Sequence, residues 1–156
     1  MTGPALTPEE RLLDLGLQVP PVAAPVAAYV PAVRSGDHVF TSGQLPMADG
    51  ELLRVGKVGG EVSAEEAYDC ARQCALNAIA AVRAEIGELA QVKRIVKVTV
   101  FVASTPDFTG QPQVANGVSE LLGEVFADAG RHARSAVGVP VLPLDAPVEV
   151  EMVVEV

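Results

Sequence analysis

No stretch of this chain constrains its fold more than Val92–Ala103, whose centre reads IVKVTVFV. Val stands at every second position, and Cβ-branched residues in that rhythm suit a pleated sheet far better than a helix. The rest of the chain must therefore be arranged around a sheet. Further strands are predicted at Tyr29–Arg34 and Asp37–Ser42, joined by a turn at Ser35-Gly36, and at Ser135–Val139 and Val148–Val156. A weak strand is expected within Glu51–Val55.

Two long helices separate these strands. Ser63 is placed to N-cap the first, with Glu66 three residues on as its capping-box partner. Ala67, Cys70, Ala71, Cys74, Ile79 and Val82 then recur at helical spacing, and Gly87 ends the helix. The second runs from about Pro112 to Ala129 and is closed by Gly130. A short helix precedes them all, with Thr7 as N-cap, Pro8 in its first turn, Glu10 completing a capping box and Gly16 as a stop. Val19–Ala28 is too rich in Pro to be regular helix and reads as an extended arm packed on the surface.

The order β-β-α-β-α-β-β predicts an α+β two-layer sandwich, one mixed sheet with both long helices on one face. Residues 1–28 form an N-terminal helix and arm, and 29–156 the α+β domain. The sheet's other face is left apolar, which predicts an oligomer. Apolar residues make up 49% of the chain but aromatics only 4%, so the core must be built from Val, Ala and Leu. The net charge of −9 argues against nucleic acid, whose binding rests on Lys and Arg neutralising phosphates, and against an anionic membrane surface. No apolar run is long enough to span a bilayer. Cys70 and Cys74 lie one helical turn apart and read as reduced core residues of a cytoplasmic protein. With only His38 and His132 besides, no zinc site is expected.

Few residues are candidates for chemistry. Arg134 enters a strand amid Ala133, Ser135, Ala136 and Val137, and an arginine in apolar surroundings needs an anionic partner. Two readings stay open: an ion pair with Glu149 or Glu151, or a fork that grips a substrate carboxylate. Alternation along the last strand puts Glu149, Glu151 and Glu155 on one face, and a carboxylate near Arg134 could orient or deprotonate a water. Tyr29, Ser42 and Gly43 bracket the first hairpin, where a backbone N–H could face a ligand. Asn116, early in the second long helix, is a ligand donor or an ordinary helix residue. Neither histidine has an evident catalytic context.

The segments TSGQLP (41–46), VKVTVFVASTPDF (96–108), ARSAVGV (133–139) and LPLDAPVEVE (142–151) resemble the Rid family, also called YjgF or endoribonuclease L-PSP. The similarity runs from about Tyr29 to the C-terminus. It implies a chorismate-mutase-like fold and a homotrimer with ligand clefts between subunits. It also implies hydrolysis of 2-imino or enamino acids to 2-keto acids and ammonia without cofactor. By resemblance Arg134 binds the substrate carboxylate and Glu149 helps place the attacking water. Tyr29, Ser42, Gly43 and Asn116 match the family's binding residues, and the Ala136 carbonyl could hold the water. Ala136 stands where deaminase members often carry Cys. The N-terminal extension and GKVGGEVS (56–63) resemble a less characterised branch. The rival expectations are a non-catalytic sensor or carrier of a small carboxylate, a ribonuclease, which the acidic charge disfavours, and a chorismate mutase by fold analogy alone.

Overall fold

The computed structural model describes residues 4–24 and 27–156, so positions 1–3 and 25–26 of the expected N-terminal region lie outside the described residues. Helix α1 spans Pro8–Asp14, and Thr7 and Glu10 form the expected reciprocal capping box. Helix α2 spans Ala64–Ile86, capped in the same way by Ser63 and Glu66 and ended by Gly87 at φ 93. Helix α3 spans Gln111–Phe126. The strands are β1 Ala32–Ser35, β2 His38–Thr41, β3 Met47–Ala48, β4 Glu51–Leu52, β5 Arg94–Ala103, β6 Ala133–Val139 and β7 Val148–Glu155.

Five strands make one mixed sheet in the order β1-β2-β7-β5-β6, with β5 and β6 parallel and the other pairs antiparallel. Strands β3 and β4 pair apart from it as a two-stranded ribbon. The expected strand within Glu51–Val55 is thus only two residues long. The first turn also shifts by one residue: Ser35 pairs with His38, so Gly36-Asp37 forms the loop, with Gly36 at φ 60. Tyr29 precedes the strand rather than opening it.

Alternation decides the two faces. Val98, Val100 and Val102 of β5 and Val148, Val150, Met152 and Val154 of β7 are buried beneath the helices, beside Ala71, Cys74 and Ile79 of α2 and Val114, Val118 and Leu121 of α3. Both long helices cover this one face, as the strand order predicted, and the core is mostly aliphatic, with Phe126 its buried aromatic among the described residues. The opposite face leaves Val33, Phe40 and Val137 exposed. Helix α1 joins the same core through Leu12, and Glu9 accepts the Leu89 N–H at 2.7 Å. Among the described residues no helix is long and apolar enough to cross a membrane.

The end of α3 differs from expectation in an instructive way. The left-handed residue there is Ala127, at φ 53, followed by a 3₁₀ turn over Ala127–Gly130. Gly130 matters for space instead: a Cβ there would sit 2.3 Å from the Leu122 carbonyl oxygen. Gly117 shows the same constraint between helices, since its Cβ would lie 2.3 Å from the Tyr68 carbonyl oxygen of α2. Gly123, on the same helix, has nothing within 4 Å. Gly117→Ala should therefore lose about 1–3 kcal/mol to overpacking, whereas Gly123→Ala should gain about 0.5–1 kcal/mol from helix propensity. Urea unfolding of the two variants reads the contrast; equal effects would contradict the close helix contact.

Candidate functional site

Arg134 sits on β6 opposite Val98, so its side chain points to the helix-covered side of the sheet. There its Nη1 donates to Asn116 Oδ1 at 2.8 Å and to Ser119 Oγ at 3.1 Å, while Nη2 donates to the Pro112 carbonyl at 3.4 Å. All three acceptors are neutral. Among the described residues no carboxylate pairs with Arg134, so the ion pair with Glu149 or Glu151 is not formed. A guanidinium has five hydrogens, and these contacts take three. The two left are on Nε and Nη2, the edge through which a guanidinium can hold a carboxylate in bidentate geometry.

Ser119 is itself held in place. His132 Nδ1 lies 2.6 Å from the Gly130 carbonyl oxygen, which can only accept, so Nδ1 carries the proton. Nε2 is then an acceptor, and Ser119 donates its hydroxyl to it at 2.8 Å. The serine lone pairs remain for Arg134. His132 has no context among its sequence neighbours because its contact with Ser119 of α3 forms only where the chain returns from α3 toward β6. A shallow recess of about 490 Å³ opens beside these residues, lined by Ser119, Gly123, Ala127, Gly130, Arg131, His132 and Arg134. Ala136 lies two residues further along β6, with its side chain against the edge of the core.

Glu149 belongs to a second, separate place. It lines a cavity of about 850 Å³ together with Tyr29, Ser42 and Gly43. The arm Pro20–Ala24, expected on the surface, forms one wall of this cavity. Gly43 makes room for the carboxylate: a Cβ there would lie 2.4 Å from Glu149 Oε1. Ser42 spends both its hydrogens on the chain itself, N–H to the Pro31 carbonyl at 2.8 Å and O–H to the Val30 carbonyl at 2.6 Å. The backbone donor left at this turn, among the described residues, is the Gly43 N–H. Burial pushes the Glu149 carboxyl above its ordinary value, and the neighbouring Glu151 charge adds to the shift.

One chain does not bring these two groups together. Glu149 is opposite Phe101 on β7 and Arg134 is opposite Val98 on β6, so they stand two strands apart on opposite faces. Among the described residues none lines both the cavity and the recess. A water held between Glu149 and the Ala136 carbonyl is therefore not available within a single chain. Cys70 and Cys74 are free and buried, and burial pushes the Cys70 thiol up to about 11. Among the described residues no group of His, Cys, Asp and Glu could hold a metal.

A family model described as "YjgF/chorismate_mutase-like, putative endoribonuclease" matches residues 9–156. Protein TCP17 of Trypanosoma cruzi is 46% identical over 146 residues, 93% of this chain and 91% of that protein. A 2-iminobutanoate/2-iminopropanoate deaminase of Dermatophagoides farinae is 31% identical over 138 residues, 88% of this chain and 93% of that one. The crystal structure of a protein of unknown function from Agrobacterium tumefaciens superposes with a TM-score of 0.89 at 41% identity, covering 96% of this chain and 92% of the other.

The raised Glu149 carboxyl has a direct consequence for stability. The folded state holds the proton more tightly than the unfolded state, so this group's contribution is full below the ordinary carboxylate range. It is lost as pH rises through the raised value. Glu149→Gln should be more stable than the wild type at pH 7 and little different near pH 3.5. Denaturant titrations at the two pH values measure this; a variant less stable at pH 7 would mean that the ionised carboxylate is stabilised in the fold.

Proposed function

Because this chain belongs to the YjgF/chorismate mutase-like family, also known as Rid, we propose that it hydrolyses reactive 2-imino acids to 2-keto acids and ammonia. The observation that carries the reading is the state of Arg134. Its charge rests on three neutral acceptors, and the pair of hydrogens that fits a carboxylate stays open. The mite relative's name, an imine deaminase, supports the same chemistry.

On this reading the protein is a homotrimer, and each site forms where the Arg134 edge of one subunit meets the Glu149 cavity of the next. The separation of the two groups on one chain supports that arrangement, as do the exposed Val33, Phe40 and Val137 that a second copy would cover. The substrate carboxylate lies on the Arg134 fork, with Asn116 and Ser119 fixing the guanidinium. Glu149, facing the Gly43 N–H turn and Tyr29, takes a proton from a water as its oxygen bonds to the imine carbon. The C=N electron pair goes to the nitrogen, which takes the proton back from Glu149 to give a carbinolamine. Glu149 then takes the hydroxyl proton as the carbonyl forms, and the C–N bond breaks with its pair leaving on nitrogen. That nitrogen gains the proton from Glu149 and departs as ammonia, leaving the 2-keto acid. A carboxyl raised above its ordinary value suits both the taking and the returning of that proton. Imines are already electrophilic, so positioning of substrate and water supplies most of what is needed. The unpaired thiols fit a reducing compartment, and we place the protein in the cytosol.

A non-catalytic carrier would use the same Arg134 fork, and turnover separates the two. In a semicarbazide competition assay with an imine made by an amino-acid oxidase, the wild type should outcompete the trap. Arg134→Ala should lose about a hundredfold in kcat/KM, and Arg134→Lys should fall nearly as far because a point charge cannot replace the fork. Binding of the keto acid without turnover would identify a carrier. Mixing Arg134→Ala with Glu149→Gln, each inactive alone, should restore about a quarter of wild-type activity after subunit exchange, since half the sites receive each intact group independently. No recovery in mixed trimers would place both groups on one subunit's site or outside the chemistry.

A further inference from the structure

We propose that the cavity beside Glu149 is a side-chain subsite that selects 2-imino acids with long apolar side chains, of leucine or phenylalanine size, and that Leu144 is its specificity-determining residue. The proposal rests on the preceding reading of the site and names its substrate class.

Charge sets the orientation. Among the described residues no Lys or Arg lines the cavity, and its charged residues are Asp49 and Glu149. A carboxylate would be repelled there, so that end of the substrate belongs with Arg134. The substituent left to enter the cavity is the side chain on the imine carbon. The walls it would meet include the apolar Val22 and Ala23 of the arm, Leu45, Met47 and Leu144, and the amide groups of the polar Gln44, Gln73 and Asn77 donate to one another or to the backbone. At about 850 Å³ the cavity lies within the roughly 300–1,000 Å³ range of pockets that take drug-sized ligands. A methyl or ethyl group would occupy little of it, even with its mouth narrowed by a neighbouring subunit.

Backbone strain singles out Leu144. It holds φ 58 and ψ 19, and Asp145 follows at φ 58, two successive left-handed residues neither of which is glycine. Such conformations cost free energy and persist where the surroundings enforce them. Here the Gly56 N–H donates to the Asp145 carbonyl at 2.9 Å, the Asp145 N–H donates to the Leu142 carbonyl at 3.1 Å, and the Asp145 carboxylate pairs with Lys57. The leucine so held is 61% exposed, so core burial does not account for it. Glycine or asparagine would adopt this backbone at lower cost. Leucine, unlike either, puts an aliphatic side chain against the cavity.

The test compares imines made by an amino-acid oxidase from alanine, leucine and phenylalanine, in wild type, Leu144→Asn and Ala23→Trp. Asparagine tolerates the left-handed backbone, so Leu144→Asn removes the apolar surface without adding strain, and Ala23→Trp fills the cavity from the other wall. The wild type should favour the leucine-derived imine over the alanine-derived one by about tenfold or more in kcat/KM, and both variants should bring that ratio toward one. A wild type that prefers the alanine-derived imine, or a ratio unchanged in both variants, would overturn the proposal. Calorimetric binding of 4-methyl-2-oxopentanoate against pyruvate reads the same subsite without catalysis. If the wild type hydrolyses no imine faster than Arg134→Ala, hydrolysis is the reading that fails, and the binding experiment still decides the subsite. Tighter binding of the branched keto acid, lost in Leu144→Asn, supports the subsite; equal or absent binding of the two rejects it.

Discussion

Strand β5 fixes where everything else in this protein faces. It pairs in parallel with β6 and antiparallel with β7, and both registers are continuous over its apolar core, Val98 to Val102. Because the side-chain period of a strand is two, these registers assign a face to every residue on the two neighbours. Arg134 shares the side of Val98, and Glu149 shares the side of Phe101. A slip of one residue on either side would exchange charged for apolar groups along the whole interface with α2 and α3. The hydrophobic core therefore enforces the positions of the polar groups, although it touches few of them.

Several features of the candidate site cost the fold stability. Glu149 is half-buried beside Glu151, with its carboxyl raised by that burial. Arg134 is held among neutral acceptors. Leu144 and Asp145 occupy left-handed backbone. Gly43 forgoes a side chain so that the Glu149 carboxylate has room. None of these is explained by packing of the core, which is closed and mostly aliphatic without them. Concentration of local costs around a cavity and its rim is what function demands of an otherwise consistent structure.

The sequence made the elements legible because their signals are local. Two capping boxes, the Val alternation of β5 and β7, and the glycine after α2 each depend on residues within a turn or two of one another. Hairpin and ribbon details were less accessible: Gly36-Asp37 and Ser35-Gly36 are equally turn-like, and only pairing of Ser35 with His38 selects the former. Gly130 ends the 3₁₀ turn rather than α3 itself, and its role there is one of space beside Leu122, which no local pattern displays. The site was legible in its residues but not in its grouping. That Asn116 meets Arg134, that Ser119 and His132 lock behind them, and that the Pro-rich arm walls the Glu149 cavity are all products of chain return. No local spacing encodes them.

The separation of Arg134 from Glu149 also bears on why the sheet's second face is left apolar. Val33, Phe40 and Val137 lie open there, and Phe101 and Val153 lie between them on the same face. A monomer gains nothing from such a face and pays for it in hydration of apolar area. On the trimer reading, the same apolar contact that stabilises assembly carries an Arg134 edge to a Glu149 cavity, so neither half-site can react until the subunits have joined. Coupling catalysis to assembly in this way needs no moving part. It needs only that the two groups be placed on opposite faces of one rigid sheet, which the registers of β5 impose.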